Sequence, residues 1–250
     1  MSKKKSPKPG IRRSRSPSSR VGRELPTGGR SLALNVKSAK GRKSSSTRWL
    51  KRQLNDPYVL EAKKRGYRSR SAFKLIELDD KFQFLYKGAR VIDLGAAPGG
   101  WCQVAAERTG ASGLESIRGQ VIGIDLREID TIAGTKLIQG DFLDDNVLIE
   151  LMDLVGQPVD VVLSDMASPA TGHTSTDHLR IMGLLEAAVD FAVTALAPGG
   201  TFVGKVLRGG TENQLLLLLK RNFKIVRHAK PPASRQDSAE SYVVAKSFYK

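Results

Sequence analysis

The chain has 250 residues, of which 40% are hydrophobic and 26% charged, enough for one packed domain with extensions. A single cysteine, Cys102, excludes an internal disulfide framework, and no apolar run is long enough to span a bilayer or form the core of a secretory leader. Lys and Arg outnumber Asp and Glu by 41 to 25, and the excess sits at one end: residues 1–52 hold 17 basic residues and one acid, whereas residues 53–250 hold 24 of each.

Residues 1–45 read as a disordered basic arm. They are rich in Ser, Gly, Pro, Lys and Arg, without a helical or strand period of apolar residues. A polyanion such as RNA is the expected partner, because neutralising phosphates gives sequence-independent affinity. A solvated tail and a mitochondrial transit segment are the alternatives, and the Lys-rich start counts against the second. Residues 46–250 then form one domain, introduced by helical stretches at 47–54, 57–64 and 71–81. Within residues 46–82 basic side chains are interleaved with Trp49, Tyr58 and Tyr67, which could contact RNA or belong to the core.

From residue 90 the pattern alternates. Strand-length apolar runs occur at 90–94, 120–126, 135–138, 159–164, 201–207, 223–227 and 242–248, with helical patterns at 100–109, 144–155, 177–196 and 211–221. That alternation predicts an α/β fold, a mostly parallel seven-stranded sheet with helices on both faces, and ligands at the carboxyl ends of its strands.

The chemistry-bearing residues fall at those ends. The first strand runs into DLGAAPGGW at 93–101. This glycine-rich turn lacks the G-x-G-x-x-G spacing of a dinucleotide loop, and Pro98 removes an N–H that a pyrophosphate would use. A nucleoside without phosphates fits better, and S-adenosylmethionine (SAM) is such a ligand. Asp125, at the end of the second strand, could accept from ribose hydroxyls, and Asp141 beside Phe142 could accept from an adenine amino group. Lys205 stands alone inside an apolar strand, a costly place for a lysine that is neither paired nor functional. His173 and His178, in the loop SPATGHTSTDH, are too loosely spaced to suggest a metal site, and Cys102 is expected to pack as a small core residue.

DLGAAPGGW at 93–101, LSDMA at 163–167, GKV at 204–206, SAES at 238–241 and RSAFKL at 70–75 together resemble the FtsJ/RlmE family of RNA ribose 2′-O-methyltransferases. The resemblance covers residues 46–250. It implies a Rossmann-like SAM-dependent methyltransferase fold and a catalytic tetrad at Lys74, Asp165, Lys205 and Glu240. It also implies SAM contacts from Gly99, Trp101, Asp125, Asp141 and Asp165. Bacterial members that methylate a uridine ribose in 23S ribosomal RNA match best, so the implied partner is 23S rRNA within the large ribosomal subunit. A cytoplasmic monomer with no membrane association is the expectation. A tRNA or mRNA-cap 2′-O-methyltransferase, or a non-catalytic ribosome-assembly factor, are the alternatives. The arm is longer than compact family members carry, and the resemblance says nothing of it.

Overall fold

The computed structural model describes residues 44–113, 117–168, 171–207 and 213–249, so residues 1–43 of the basic arm and the Trp49 side chain lie outside it. Three helices come first: α1 (Ser44–Leu54), α2 (Pro57–Arg65) and α3 (Ser71–Phe82). Helix α1 starts two residues ahead of the boundary expected between arm and domain. Asp56 caps α2 by accepting from the Tyr58 N–H at 3.0 Å, with Pro57 in the first helical position, where its missing N–H costs nothing.

The rest alternates, as β1 (Arg90–Leu94), α4 (Gly100–Thr109), β2 (Gln120–Asp125), β3 (Thr135–Gln139), α5 (Asp145–Val155), β4 (Val159–Ser164), α6 (Thr174–Ala195), β5 (Leu196–Leu207), α7 (Asn213–Asn222), β6 (Phe223–Ala229) and β7 (Glu240–Phe248). The seven strands form one sheet in the order β3-β2-β1-β4-β5-β7-β6. Strands β1 to β5 are parallel, whereas β7 lies antiparallel between β5 and β6. The expected mostly parallel sheet is therefore mixed at one edge.

Strands buried on both faces read as continuous apolar runs, and the two faces carry separate cores. Helices α5, α6 and α7 cover one face around Ile92, Ile122, Val162 and Phe202. Helices α3 and α4 cover the other around Val91, Val121, Leu163 and Val203. Among the described residues no helix is long and apolar enough to cross a membrane.

Candidate active site

The strand order reverses between β1 and β4, the position where an open α/β sheet leaves a crevice beyond its carboxyl ends. A cavity of about 500 Å³ lies there. Its floor and walls come from the segments that follow β1, β2, β3 and β4, with Asp125, Asp141 and Asp165 set among apolar side chains such as Leu126, Phe142 and Met166. Gly95, at φ 77°, makes the turn after β1, and a Cβ there would lie 2.9 Å from Met166 Cα. Only glycine lets this turn run so close to the segment after β4.

The turn is held by its neighbours. The N–H groups of Gly95 and Ala96 donate to the Ile124 carbonyl at 2.9 and 3.0 Å. The Ala97 N–H donates to Asp125 Oδ2 at 2.9 Å, while Asp125 Oδ1 accepts from the Arg127 N–H at 2.9 Å. Asp141 Oδ1 accepts from the Leu143 N–H at 2.9 Å. Gly99 and Trp101 do not line the cavity. Gly99 caps α4 at φ 107°, beneath the Arg68 side chain. Trp101 is buried, donating its indole N–H to the Ser71 carbonyl at 2.8 Å, with its ring 5.7 Å from that of Tyr242.

Arg68 is a residue that no sequence pattern singles out. Its guanidinium donates to the carbonyls of Pro98 at 3.3 Å, Asp130 at 2.6 Å and Thr131 at 2.8 Å. One side chain thus ties the entry to α3 to the glycine turn and to the loop between β2 and β3.

The four residues of the expected tetrad come together beside the cavity. Lys205 Nζ lies 2.8 Å from Asp165 Oδ1 and donates to the Asp165 carbonyl at 2.8 Å. Lys74 Nζ lies 2.8 Å from both oxygens of Glu240, and Ser234 Oγ donates to Glu240 Oε1 at 2.8 Å. Tyr242 joins the two pairs. Its hydroxyl donates to Asp165 Oδ1 at 2.7 Å and accepts from Lys74 at 3.2 Å. Strand register explains the meeting. Lys205 on β5 faces Tyr242 on β7, and Glu240 stands two residues before Tyr242 on the same face of the sheet.

The electrostatics follow from these contacts. Burial pushes the Asp165 carboxyl up, but Lys205 and then Lys74 outweigh it and hold the group below the ordinary carboxylate range. Burial pushes the Tyr242 hydroxyl well above its ordinary value, and the charges of Asp165 and Glu240 add to the effect, so it remains a donor. At the end of β1, Asp93 is wholly enclosed. Burial pushes its carboxyl up to about 7, against a hydrogen bond from Cys102, with Asp165 and Asp125 adding to the rise. Cys102 Sγ lies 3.2 Å from Asp93 Oδ2, packed in the core as expected.

Other expected residues have structural occupations. Tyr58 and Tyr67 pack their rings on Phe73, at centroid distances of 5.5 and 5.8 Å, and donate their hydroxyls to Glu77 and Glu107, each at 3.0 Å. Tyr58 holds α2 against α3, and Tyr67, in the link between those helices, packs on α3 and reaches α4. His173 is exposed before α6, and His178 Nε2 is enclosed with no hydrogen-bond partner. Among the described residues no group of three or more His, Cys, Asp or Glu side chains is arranged to hold a metal.

The sequence profile of the FtsJ-like methyltransferases matches residues 67–248, the span that holds the cavity and the whole tetrad. The chain belongs to the FtsJ-like methyltransferase family. It is similar to the ribosomal RNA large subunit methyltransferase E of Parvibaculum lavamentivorans, 59% identical over 225 residues, which cover 88% of this chain and 89% of that protein. The enzyme of the same name from Paramagnetospirillum magneticum is 61% identical over 224 residues, covering 89% and 91% of the two chains. Among solved structures, a ribosomal RNA methyltransferase of Plasmodium falciparum is 36% identical, with a TM-score of 0.64, covering 73% of this chain and 98% of that one. This FtsJ-like methyltransferase therefore carries the family's fold across residues 67–248.

Proposed function

We propose that this FtsJ-like methyltransferase transfers a methyl group from SAM to the ribose 2′-hydroxyl of a uridine in 23S rRNA of the large ribosomal subunit, acting as a cytoplasmic monomer. The observation that carries the reading is Lys205, a lysine buried in β5 and 2.8 Å from the carboxylate of Asp165, itself part of the cavity wall. The names of the relatives support the substrate class.

The cavity suits SAM by its chemistry. Its volume is in the range of small-molecule sites, its walls are mainly apolar, and three carboxylates offset one arginine, Arg127, as a cationic nucleoside requires. Asp125 would accept from the ribose hydroxyls and Asp141 would face the base. When bound, SAM supplies an electrophilic methyl group on a sulfonium. The remaining work belongs to the protein. A ribose hydroxyl is a poor nucleophile until its proton leaves, and Lys205 is the group able to stabilise the developing alkoxide or take that proton. Asp165 and Tyr242 fix the lysine, while Glu240 fixes Lys74, which would hold the substrate backbone. Positioning of this kind supplies on the order of 7–11 kcal/mol of a two-reactant barrier.

The test is transfer of labelled methyl from SAM to unmodified large subunits, with naked 23S rRNA and tRNA alongside. Label on a ribose of the large subunit or its 23S rRNA is the expected result. Label on tRNA alone would overturn the substrate, and SAM binding without transfer to any RNA would overturn the catalytic reading.

A further inference from the structure

Lys74 stands on α3 and the glycine turn lies between β1 and α4, and the link that leads into α3 packs against that turn. A Cβ on Gly100 would lie 2.5 Å from Ser69 Oγ, and Trp101 reaches the Ser71 carbonyl. Gln103, in the first turn of α4, clasps the link with both ends of its amide. Its Oε1 accepts from the Arg68 N–H at 2.8 Å, and its Nε2 donates to the Gly66 carbonyl at 3.0 Å. The backbone of Arg68 is thus tied to α4.

From that anchor the side chain crosses the turn. It passes over Gly99, where a Cβ would lie 3.3 Å from Arg68 Cδ. Nη1 then donates to the carbonyls of Pro98 and Asp130, and Nη2 to that of Thr131. One guanidinium therefore holds the turn before α4 and the loop before β3 together, and Ile132 of the same loop packs on Gly99. Both segments frame the cavity: Gly95 and Ala97 of the turn line it, as do Leu126 and Arg127 at the start of the loop. A planar fork with fixed donor directions admits one arrangement of three carbonyls, whereas a lysine ammonium is a single point on a flexible stem.

We infer that Arg68 is a positioning residue for methyl transfer, setting the glycine turn beside the SAM cavity at a fixed distance from the helix that bears Lys74. The inference rests on the methyl-transfer reading above and adds a residue to that same reaction. Arg68 is not among the residues that line the cavity, and it acts through the backbone of Pro98 and of the loop before β3. Methyl transfer is sensitive to such a frame, because a shift of about 1 Å between reacting groups costs about 10²-fold in rate.

The experiment compares the full chain with R68A and R68K. Amide hydrogen exchange without SAM is read over residues 95–100 and 126–134, with thermal unfolding and SAM affinity on the same preparations. Turnover is measured at saturating SAM and unmodified large subunits. R68A should exchange faster in those two segments alone, bind SAM severalfold more weakly and lose up to about 10²-fold in kcat. R68K keeps the charge but not the fork, and should fall with R68A; if R68A does not fold, R68K carries the test. Unchanged exchange in both segments would overturn the inference, as would full kcat in R68K. Faster exchange throughout the chain, with a matching fall in Tm, would make Arg68 merely structural and overturn it too. Weaker RNA binding with both segments unchanged would assign the arginine to the RNA instead. An unsubstituted protein that methylates no RNA would sink the RNA reading, while exchange and SAM affinity would still decide whether Arg68 sets the turn.

Discussion

Tyr242 gives its hydroxyl proton to Asp165 and receives a hydrogen bond from Lys74 on the same oxygen, at 2.7 and 3.2 Å. A neutral phenol, buried in β7, thus links the two ion pairs of the tetrad. Replacing Tyr242 with Phe keeps the ring and removes the link. The expected loss is about 1 kcal/mol of the interaction, or roughly fivefold in turnover, with SAM affinity unchanged. Steady-state kinetics with both substrates varied would check this, and full turnover in Y242F would remove the phenol from the mechanism.

Lys205 and Asp165 form a buried pair, so removing one partner strands the other. K205A should abolish methyl transfer and lower stability by about 3–5 kcal/mol, because Asp165 is left enclosed without its nearest cation. Adding D165N should recover most of that stability and none of the activity. Denaturant unfolding together with single-turnover assays separates the two effects. Transfer at the normal rate by K205A would refute the mechanism.

Asp93 makes stability depend on pH. Burial raises its carboxyl to about 7 in the folded protein from 3.8 when unfolded, so the native state binds the extra proton between those values. Its contribution to stability is therefore greatest below pH 4, falls as pH rises through 4 to 7, and is flat above; a rise of that size corresponds to about 4 kcal/mol. D93N should lack this slope and gain on the unsubstituted protein as pH rises from 5 to 8. Parallel stability curves for the two proteins would exclude Asp93 as the source.

Gly99 is held at φ 107°, and a Cβ there would collide with Ile132 Cδ1 and approach Arg68 Nη1 to 3.2 Å. G99A should cost about 1–3 kcal/mol of backbone strain and weaken SAM binding by displacing the glycine turn and the arginine that holds it. Thermal unfolding and SAM titration of the same preparation would measure both. Unchanged SAM affinity would mean that the turn tolerates the displacement.

Much of this architecture was legible in the sequence, for identifiable reasons. Helix α4 begins and ends where expected, at Gly100 and Thr109, because a glycine turn precedes it and Gly110 terminates it. Strands β1 and β4 also match, since strands covered on both faces are uninterrupted apolar runs. Strand β5 does not: it begins at Leu196 rather than residue 201, because Leu196 pairs with Val159 across a register shift that APGG hides behind turn-like residues.

At the site, Asp125, Asp141 and Asp165 sit at strand ends, where topology leads one to look. Tyr242 stayed hidden because a tyrosine in an apolar run reads as core. Its role depends on the pairing of Lys205 with Tyr242, and two apolar runs do not announce their mutual register. Arg68 stayed hidden because its partners are backbone carbonyls, which carry no sequence signal.

Strand β7 is the last in the chain yet lies inside the sheet, between β5 and β6. The residues that line the cavity, from Gly95 to Leu184, all precede β7 in the chain, whereas Glu240 and Tyr242 belong to it. The link between the Asp165–Lys205 pair and the Lys74–Glu240 pair therefore exists only once β7 is in place. The strand that completes the tetrad is thus the one that closes the sheet, so an intact tetrad reports a finished sheet.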